Sequence, residues 1–409
     1  MTASTALAAG TASGTLSPPP LNARFWRDRG LRPAAQIIDL DQVKSNARNV
    51  RERLAGRPFF AVIKANAYGL GAPPVAEALR EIADGFGVAT LEEGQELRRA
   101  GITAPVLMLS GCFPRQLPQV AAAGLMLGVV SLPLLKAAAE FAAVLACEPL
   151  VIHLKLDTGM GRLGLLPEEA GEALAILQRT PGLKLAGLYS HFAAGDDPSA
   201  PLTRRQLECF ATIERRFHEK YPGISLHFAN SAALASGVAS DHGNRAGLAL
   251  YGELGESPAA VSLAAYPLLI KRLPAGHGVG YGPDLFLPTD SAIAVLPLGY
   301  ADGVPRLIGK SAWASVAGER AEFLGRISMD LLTIRWPEGA APEDPVWLLG
   351  NGGPRLNDWA QWAQTLPYEI LTALDGRLLK IYFSGGHPVR LCLPRGGYET
   401  VTDGDWEIA

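Results

Sequence analysis

From Ile37 to about Tyr251, short apolar runs alternate with segments of helical period, and that alternation admits few folds. The runs are Phe59–Lys64, Gly85–Ala89, Val106–Leu109, Leu127–Val130, Val151–Leu156, Leu185–His191, Ser225–Asn230 and Ala246–Leu248. Phe59 to Ile63 is wholly apolar, the pattern of a strand buried on both faces. Between the runs, Asp41 to Leu54 puts Val43, Ala47, Val50 and Leu54 on one stripe. After Pro201, Thr203-x-x-Gln206 has the form of a capping box, with Leu207, Phe210, Ile213 and Phe217 on the inner face. Eight strands with intervening helices fit an α/β fold, a parallel (β/α)₈ TIM-type barrel, better than a doubly wound sheet.

Past Pro267 the texture changes. Turn signals such as Gly278-Val-Gly-Tyr-Gly-Pro283, Gly350-Asn-Gly-Gly353 and Ser384-Gly-Gly386 separate short runs, as in a mainly β domain. Only Asn357 to Thr365 and Tyr368 to Leu374 read as helical there. A chain of 409 residues has room for both units. The expected division is a disordered tail over 1–33, a barrel over 34–265 and a mainly β C-terminal domain over 266–409. The tail is Ala/Ser/Thr/Gly-rich and then Pro-rich, without the pattern of an export signal.

Net charge is −3 with no basic run, which argues against nucleic acid and anionic membranes as partners. No stretch approaches the length of apolar sequence that a membrane span needs. Cys112, Cys147, Cys209 and Cys392 are widely spaced and make no metal pattern, so free thiols in a reducing cytoplasm are expected.

In a barrel of this kind the working groups project from the carboxyl ends of the strands. Lys64 ends the first run, where partial desolvation would lower its pKa and free a neutral amine, as in a Schiff-base lysine. The alternative is a lysine snorkelling out of a strand end. Lys155 to Arg162 follow the fifth run, His191 ends the sixth, and Asn230-Ser231 end the seventh. Arg245 fits less tidily, because it precedes the eighth run as drawn.

Six segments, in order over roughly residues 35 to 385, resemble the alanine racemase family. They are Lys64-Ala-Asn-Ala-Tyr68-Gly, His153-Leu-Lys-Leu-Asp-Thr-Gly-Met-Gly-Arg-Leu-Gly164, Asn230-Ser231-Ala-Ala, Arg245-Ala-Gly-Leu-Ala-Leu-Tyr-Gly252, Gly280-Tyr281-Gly and Gly325-Arg-Ile-Ser-Met329-Asp330. The resemblance implies pyridoxal 5'-phosphate (PLP) on Lys64. Tyr68, Asn230, Ser231 and the backbone at Gly247 and Leu248 would surround its phosphate, with His191 beside the ring. It also implies Arg245 at the pyridine nitrogen, where a guanidinium cannot hand over a proton and charge stays near Cα. Singly, Tyr68 and Ser231 are ordinary loop hydroxyls and Arg245 a salt-bridge residue.

Racemisation needs a base on each face of a planar carbanion. The resemblance assigns these to Lys64 and to Tyr281 of a second subunit, and therefore implies a homodimer. Arg162 and Met329 would hold the substrate carboxylate. Lys155 matches a lysine that is often carbamylated; a plain lysine paired with Asp157 is the alternative. Near the C-terminus the family pattern breaks: Pro367-Tyr368-Glu369 is present, but Gly376 stands where a tyrosine at the entrance is usual. That departure leaves room for a longer substrate such as serine. Other readings are a barrel-type PLP amino-acid decarboxylase and a non-catalytic PLP-carrying barrel protein. Arg245 and Tyr281 argue against the first, the β domain against the second. Whether the role is D-alanine supply for peptidoglycan or alanine catabolism is left open by the sequence.

Overall fold

The computed structural model describes residues 25–26, 29–144, 148–238, 242–252, 257–283, 285–374, 376–394 and 397–401. Most of the expected tail, Cys147 and Asp375 lie outside these residues.

Eight parallel strands close into a barrel in sequence order: β2 (Phe59–Val62), β3 (Gly85–Val88), β4 (Val106–Met108), β5 (Met126–Val129), β6 (Leu150–Lys155), β7 (Leu183–Tyr189), β8 (Ser225–Asn230) and β9 (Gly243–Ala246). The ring closes where Phe60 pairs with Arg245 and Ala61 with Ala246. The expected eighth strand was drawn three residues late. Gly243-Asn244-Arg245-Ala246 is polar in composition yet fully buried, so an apolar pattern could not find it. Arg245 thus sits inside its strand and does not precede it.

Helices follow the strands. Leu40–Leu54 starts at Asp39, whose side chain accepts from Gln42 N, and buries Val43, Ala47, Val50 and Leu54 as its periodicity requires. The helix Pro201–His218 buries Phe210, Ile213 and Phe217, but the expected capping box does not form. Thr203 lies in the first turn of the helix and Gln206 in the second, and both are buried. Thr203 Oγ1 donates to Ala194 O (2.8 Å), while Gln206 donates to His191 O (2.9 Å) and accepts from Ala193 N (3.0 Å). The same residue types tie a helix to the loop beyond β7 instead of capping it.

Two sheets make up the rest. An eight-stranded sheet runs β14-β13-β16-β10-β1-β17-β18-β19, in which β1 (Ala34–Asp39), β10 (Val261–Ala265), β13 (Trp313–Val316), β14 (Glu319–Glu322), β16 (Val346–Leu349), β17 (Leu379–Ser384), β18 (His387–Cys392) and β19 (Tyr398–Thr400) take part. A three-stranded sheet joins β11 (Leu269–Leu273), β12 (Ser291–Leu296) and β15 (Leu332–Arg335). This corrects the boundary expected from sequence: β1 pairs parallel with β17 and antiparallel with β10, so both ends of the 34–265 span belong to the β sheet. Strand β1 alternates accordingly. Ala34 and Ile38 join the main core, while Ala35 and Ile37 join a smaller cluster on the outer face.

That outer cluster also takes in Phe25 and Trp26, the latter 2% exposed. These two residues are helical and packed, so the part of the 1–33 segment that is described is not a disordered tail. Among the described residues no helix is long and apolar enough to cross a membrane.

Candidate active site

After Val62 the chain does something costly. Ala65, Asn66, Ala67 and Tyr68 all take left-handed backbone angles, with φ between +51° and +58°. Each such residue costs ~1–2 kcal/mol, so the turn persists only because its surroundings over-determine it. Ala67 N donates to Ile63 O, Gly69 N to Ala65 O and Gly71 N to Asn66 O, each at 2.8 Å. Asn66 Oδ1 accepts from Ala72 N, and the buried Tyr382 hydroxyl donates to Leu70 O from behind. Glu93 pins the start: Oε1 accepts from Ala65 N (2.8 Å) and Oε2 from Ala89 N (2.6 Å). Oε2 also accepts from Thr90 N (3.3 Å), so Glu93→Ala leaves three donors without their acceptor and is expected to lower stability by ~1–3 kcal/mol, read as a lower urea midpoint. Glu93→Gln, which keeps one acceptor, should recover part of it. A wild-type midpoint for Glu93→Ala would show that other bonds hold the turn.

The turn aims Lys64 and Tyr68 into a cavity of about 650 Å³ at the carboxyl ends of the barrel strands. Lys64, Tyr68, Lys155, Arg162, His191, Asn230, Ser231, Arg245, Gly247 and Leu248 all line it. Lys64 is open to the cavity, yet the protein mass around it lowers its pKa, with Arg162 and Arg245 adding to the effect and Glu93 opposing it.

Arg245 anchors the floor and is 5% exposed. Nη1 lies 3.0 Å from His227 Nδ1 and also donates to His227 O; Nη2 donates to Ser190 O and lies 3.1 Å from His191 Nδ1. A guanidinium only donates, so both imidazoles accept at Nδ1. His227 then carries its proton on Nε2 and passes it toward His153 Nδ1, 2.8 Å away. All three histidines are held neutral. Burial first and Arg245's charge second push His153 and His191 down to about 3 and His227 well below its ordinary value. Burial also lowers Arg245, to about 10, which leaves it cationic at neutral pH. Both η nitrogens are taken up, and among the described residues Nε has no partner. It is the donor left for the cavity.

Lys155 is buried, with its Nζ 5.7 Å from the Tyr189 ring centre; the Arg245 guanidinium shares that ring at 5.2 Å. Burial, then Arg245 and Arg162, pull its pKa down to about 8. Asp157 does not pair with it. Asp157 Oδ1 accepts from Gly159, Met160 and Gly161, and Oδ2 from Arg162 N, so the carboxylate is engaged in shaping the Arg162 loop.

At the far side, Ser231 Oγ accepts from Gly247 N (2.9 Å) and Ala249 N (3.3 Å). A Cβ on Gly247 would lie 2.2 Å from the Tyr68 hydroxyl, so only glycine lets Tyr68, Ser231 and the backbone converge. Leu248 N has no partner among the described residues. Asn230 turns its side chain to Ala233 N and so starts the helix Ser231–Ser236.

Two expected residues stay away. Tyr281, 76% exposed, and Met329, 53% exposed, lie on the β domain outside the cavity. Arg326 brings its guanidinium beside Gly282 in the Tyr281 turn.

The profile of the alanine racemase N-terminal domain matches residues 38–255, and that of the C-terminal domain residues 260–382. The chain belongs to the alanine racemase family. It is by that membership an enzyme of the isomerase class. An alanine racemase of Limosilactobacillus fermentum is 36% identical over 86% of this chain and 98% of its own length. The biosynthetic alanine racemase of Pseudomonas aeruginosa is 37% identical over 86% and 99%. The solved alanine racemase of Clostridium difficile superposes with a TM-score of 0.82 at 30% identity, over 88% of this chain and 98% of that one.

Within this family site, the sequence reading missed His227, Tyr189 and Tyr368. His227 and Tyr189 sit among apolar strand residues, where no local signal separates a working ring from a core ring. Tyr368 lines the cavity, with its ring 5.8 Å from that of Tyr68. Gly376 is not among the residues that line the cavity.

Proposed function

We propose that this chain is an alanine racemase that interconverts L- and D-alanine with PLP, working as a homodimer in the cytoplasm. The observation that carries the reading is the cavity itself: an amine at one wall, a buried guanidinium with an open Nε–H at the floor, and a Gly247 cradle opposite. That set fits PLP. Lys64 would hold it covalently, Arg245 Nε would meet its ring nitrogen, and Tyr68, Ser231 and the N–H of Leu248 would hold its phosphate, with Asn230 and His191 alongside. When bound, the cofactor withdraws electrons and acidifies the substrate Cα–H.

The residues of the chain then divide the work. Arg162 orients the substrate carboxylate with its planar fork of donors. Lys64 Nζ, freed when the substrate amine takes its place and with its pKa lowered by burial, takes the Cα proton from one enantiomer and returns it on the same face. We assign the opposite face to Tyr281 Oη of a second subunit, because Tyr281 and Met329 are exposed outside the cavity of their own chain, and Met329 N of the same subunit adds a contact to the carboxylate. Arg245, charged and unable to pass a proton on, keeps negative charge near Cα, which favours reprotonation there. Chiral analysis of products from a panel of L-amino acids, with CO₂ monitored, tests the reading. D-Alanine without CO₂ supports it; CO₂ release would make the chain a decarboxylase.

We further infer that Lys155 is carbamylated. An amine with a pKa of about 8 is neutral in roughly one molecule in ten at pH 7, enough to take up CO₂. The resulting anion would offset Arg245 and Arg162, which an ammonium repels. Incubation with ¹³C-bicarbonate should give a slowly exchanging carbamate carbonyl signal in the wild type and none in Lys155→Ala. Equal spectra would leave Lys155 a plain lysine.

A further inference from the structure

Asp302 is fully buried, and it has no part in the cavity described above. It closes the short turn Tyr300–Asp302, where its Oδ2 accepts from Gly299 N at 3.0 Å. That turn holds the loop bearing Met329: Tyr300 N donates to Ser328 O (3.1 Å) and Ala301 N to Met329 O (3.0 Å). The two segments touch so closely that a Cβ on Gly299 would lie 2.2 Å from Met329 O. With its carbonyl taken, Met329 is 53% exposed and its N–H lacks a partner among the described residues.

Two arginines meet Asp302. Arg32 Nη2 lies 2.8 Å from Oδ1, a charge contact without hydrogen-bond alignment, and Arg377 Nε lies 3.4 Å from the same oxygen. Arg377 Nη2 reaches on to Asp330 Oδ1 at 2.8 Å, next door to Met329. Arg32 also donates to Arg377 O (2.9 Å), which fixes the second arginine in place. Arg32 stands ahead of the matched family residues, on the segment that Phe25 and Trp26 fasten to the outer face of the sheet. Losing Arg32 takes the nearer of two cations from a buried carboxylate, together with the hydrogen bond that holds Arg377 in place, and so loosens the turn and the loop that hangs on it.

We propose that Arg32 and Asp302 are positioning residues that fix the Met329 loop for the substrate carboxylate in the partner's site. The proposal rests on the shared-site reading above. It predicts an effect in trans, which a general packing role would not produce.

The test uses dimers of full-length chains with one working site. One chain carries Lys64→Ala and lends Tyr281 and Met329; the other carries Tyr281→Phe and lends Lys64. Arg32→Gln on the lending Lys64→Ala chain should raise KM for alanine about three- to tenfold with little change in kcat, the coupling expected of residues in one network. The same change on the other chain should leave KM as it was. Arg32→Lys, which keeps a charge against Asp302, should recover most of the loss, and Asp302→Asn should reproduce it. An equal KM rise in both arrangements, no rise in either, or a fall in kcat alone would overturn the positioning role. A parent heterodimer without activity would refute the shared site itself, and the role with it.

Discussion

Lys64→Ala is expected to reduce alanine racemisation by ~10⁴-fold or more, because one substitution removes both the covalent attachment point and a proton carrier. Four left-handed residues in a row hold this lysine, and its amine lies under the positive field of Arg162 and Arg245. Among the described residues the other lysine lining the cavity, Lys155, is buried with its amine against the Tyr189 ring. Purified wild-type protein should carry PLP that borohydride fixes to Lys64, located by peptide mapping, and Lys64→Ala should lose that covalent label. A label on another lysine would remove Lys64 from its role.

Tyr281→Phe is expected to lower turnover by ~10²–10⁴, the usual worth of a placed acid or base. It should do so in both directions while cofactor content stays near wild type, because Tyr281 is 76% exposed and does not line the cavity of its own chain. The loss should fall on kcat more than on KM, since a phenol that moves a proton acts in the transition state. Loss of cofactor in Tyr281→Phe would make it a binding residue instead.

The barrel was legible because its strands are apolar and its helices periodic, and both are local signals. Strand β9 escaped because Asn244 and Arg245 are buried through hydrogen bonds, which no hydropathy pattern records. Strand β1 was placed with the barrel because its partner β17 lies more than three hundred residues away, beyond any local pattern. Thr203 and Gln206 show the same limit from the other side: a capping-box pattern is legible, but whether the side chains turn to their own helix or to the His191 loop is decided by tertiary contacts. At the site, Lys64, Arg162 and Arg245 could be named from motifs. The histidine chain that fixes which nitrogen of Arg245 is open could not, because His153, His191 and His227 come from three separate stretches. Tyr368 escaped for a related reason, since no local pattern tells that its ring stands at the cavity wall.

The central claim is one site built from two subunits, with a base on each face, and mixing two inactive proteins tests it most directly. Lys64→Ala and Tyr281→Phe, each nearly inactive, are dissociated together and allowed to re-pair, and mixed dimers are verified by mass. The account predicts recovery to roughly a quarter of wild-type turnover, since half of randomly re-paired twofold dimers are mixed and each keeps one intact site. Verified mixed dimers with no turnover above that of the two parents would contradict it.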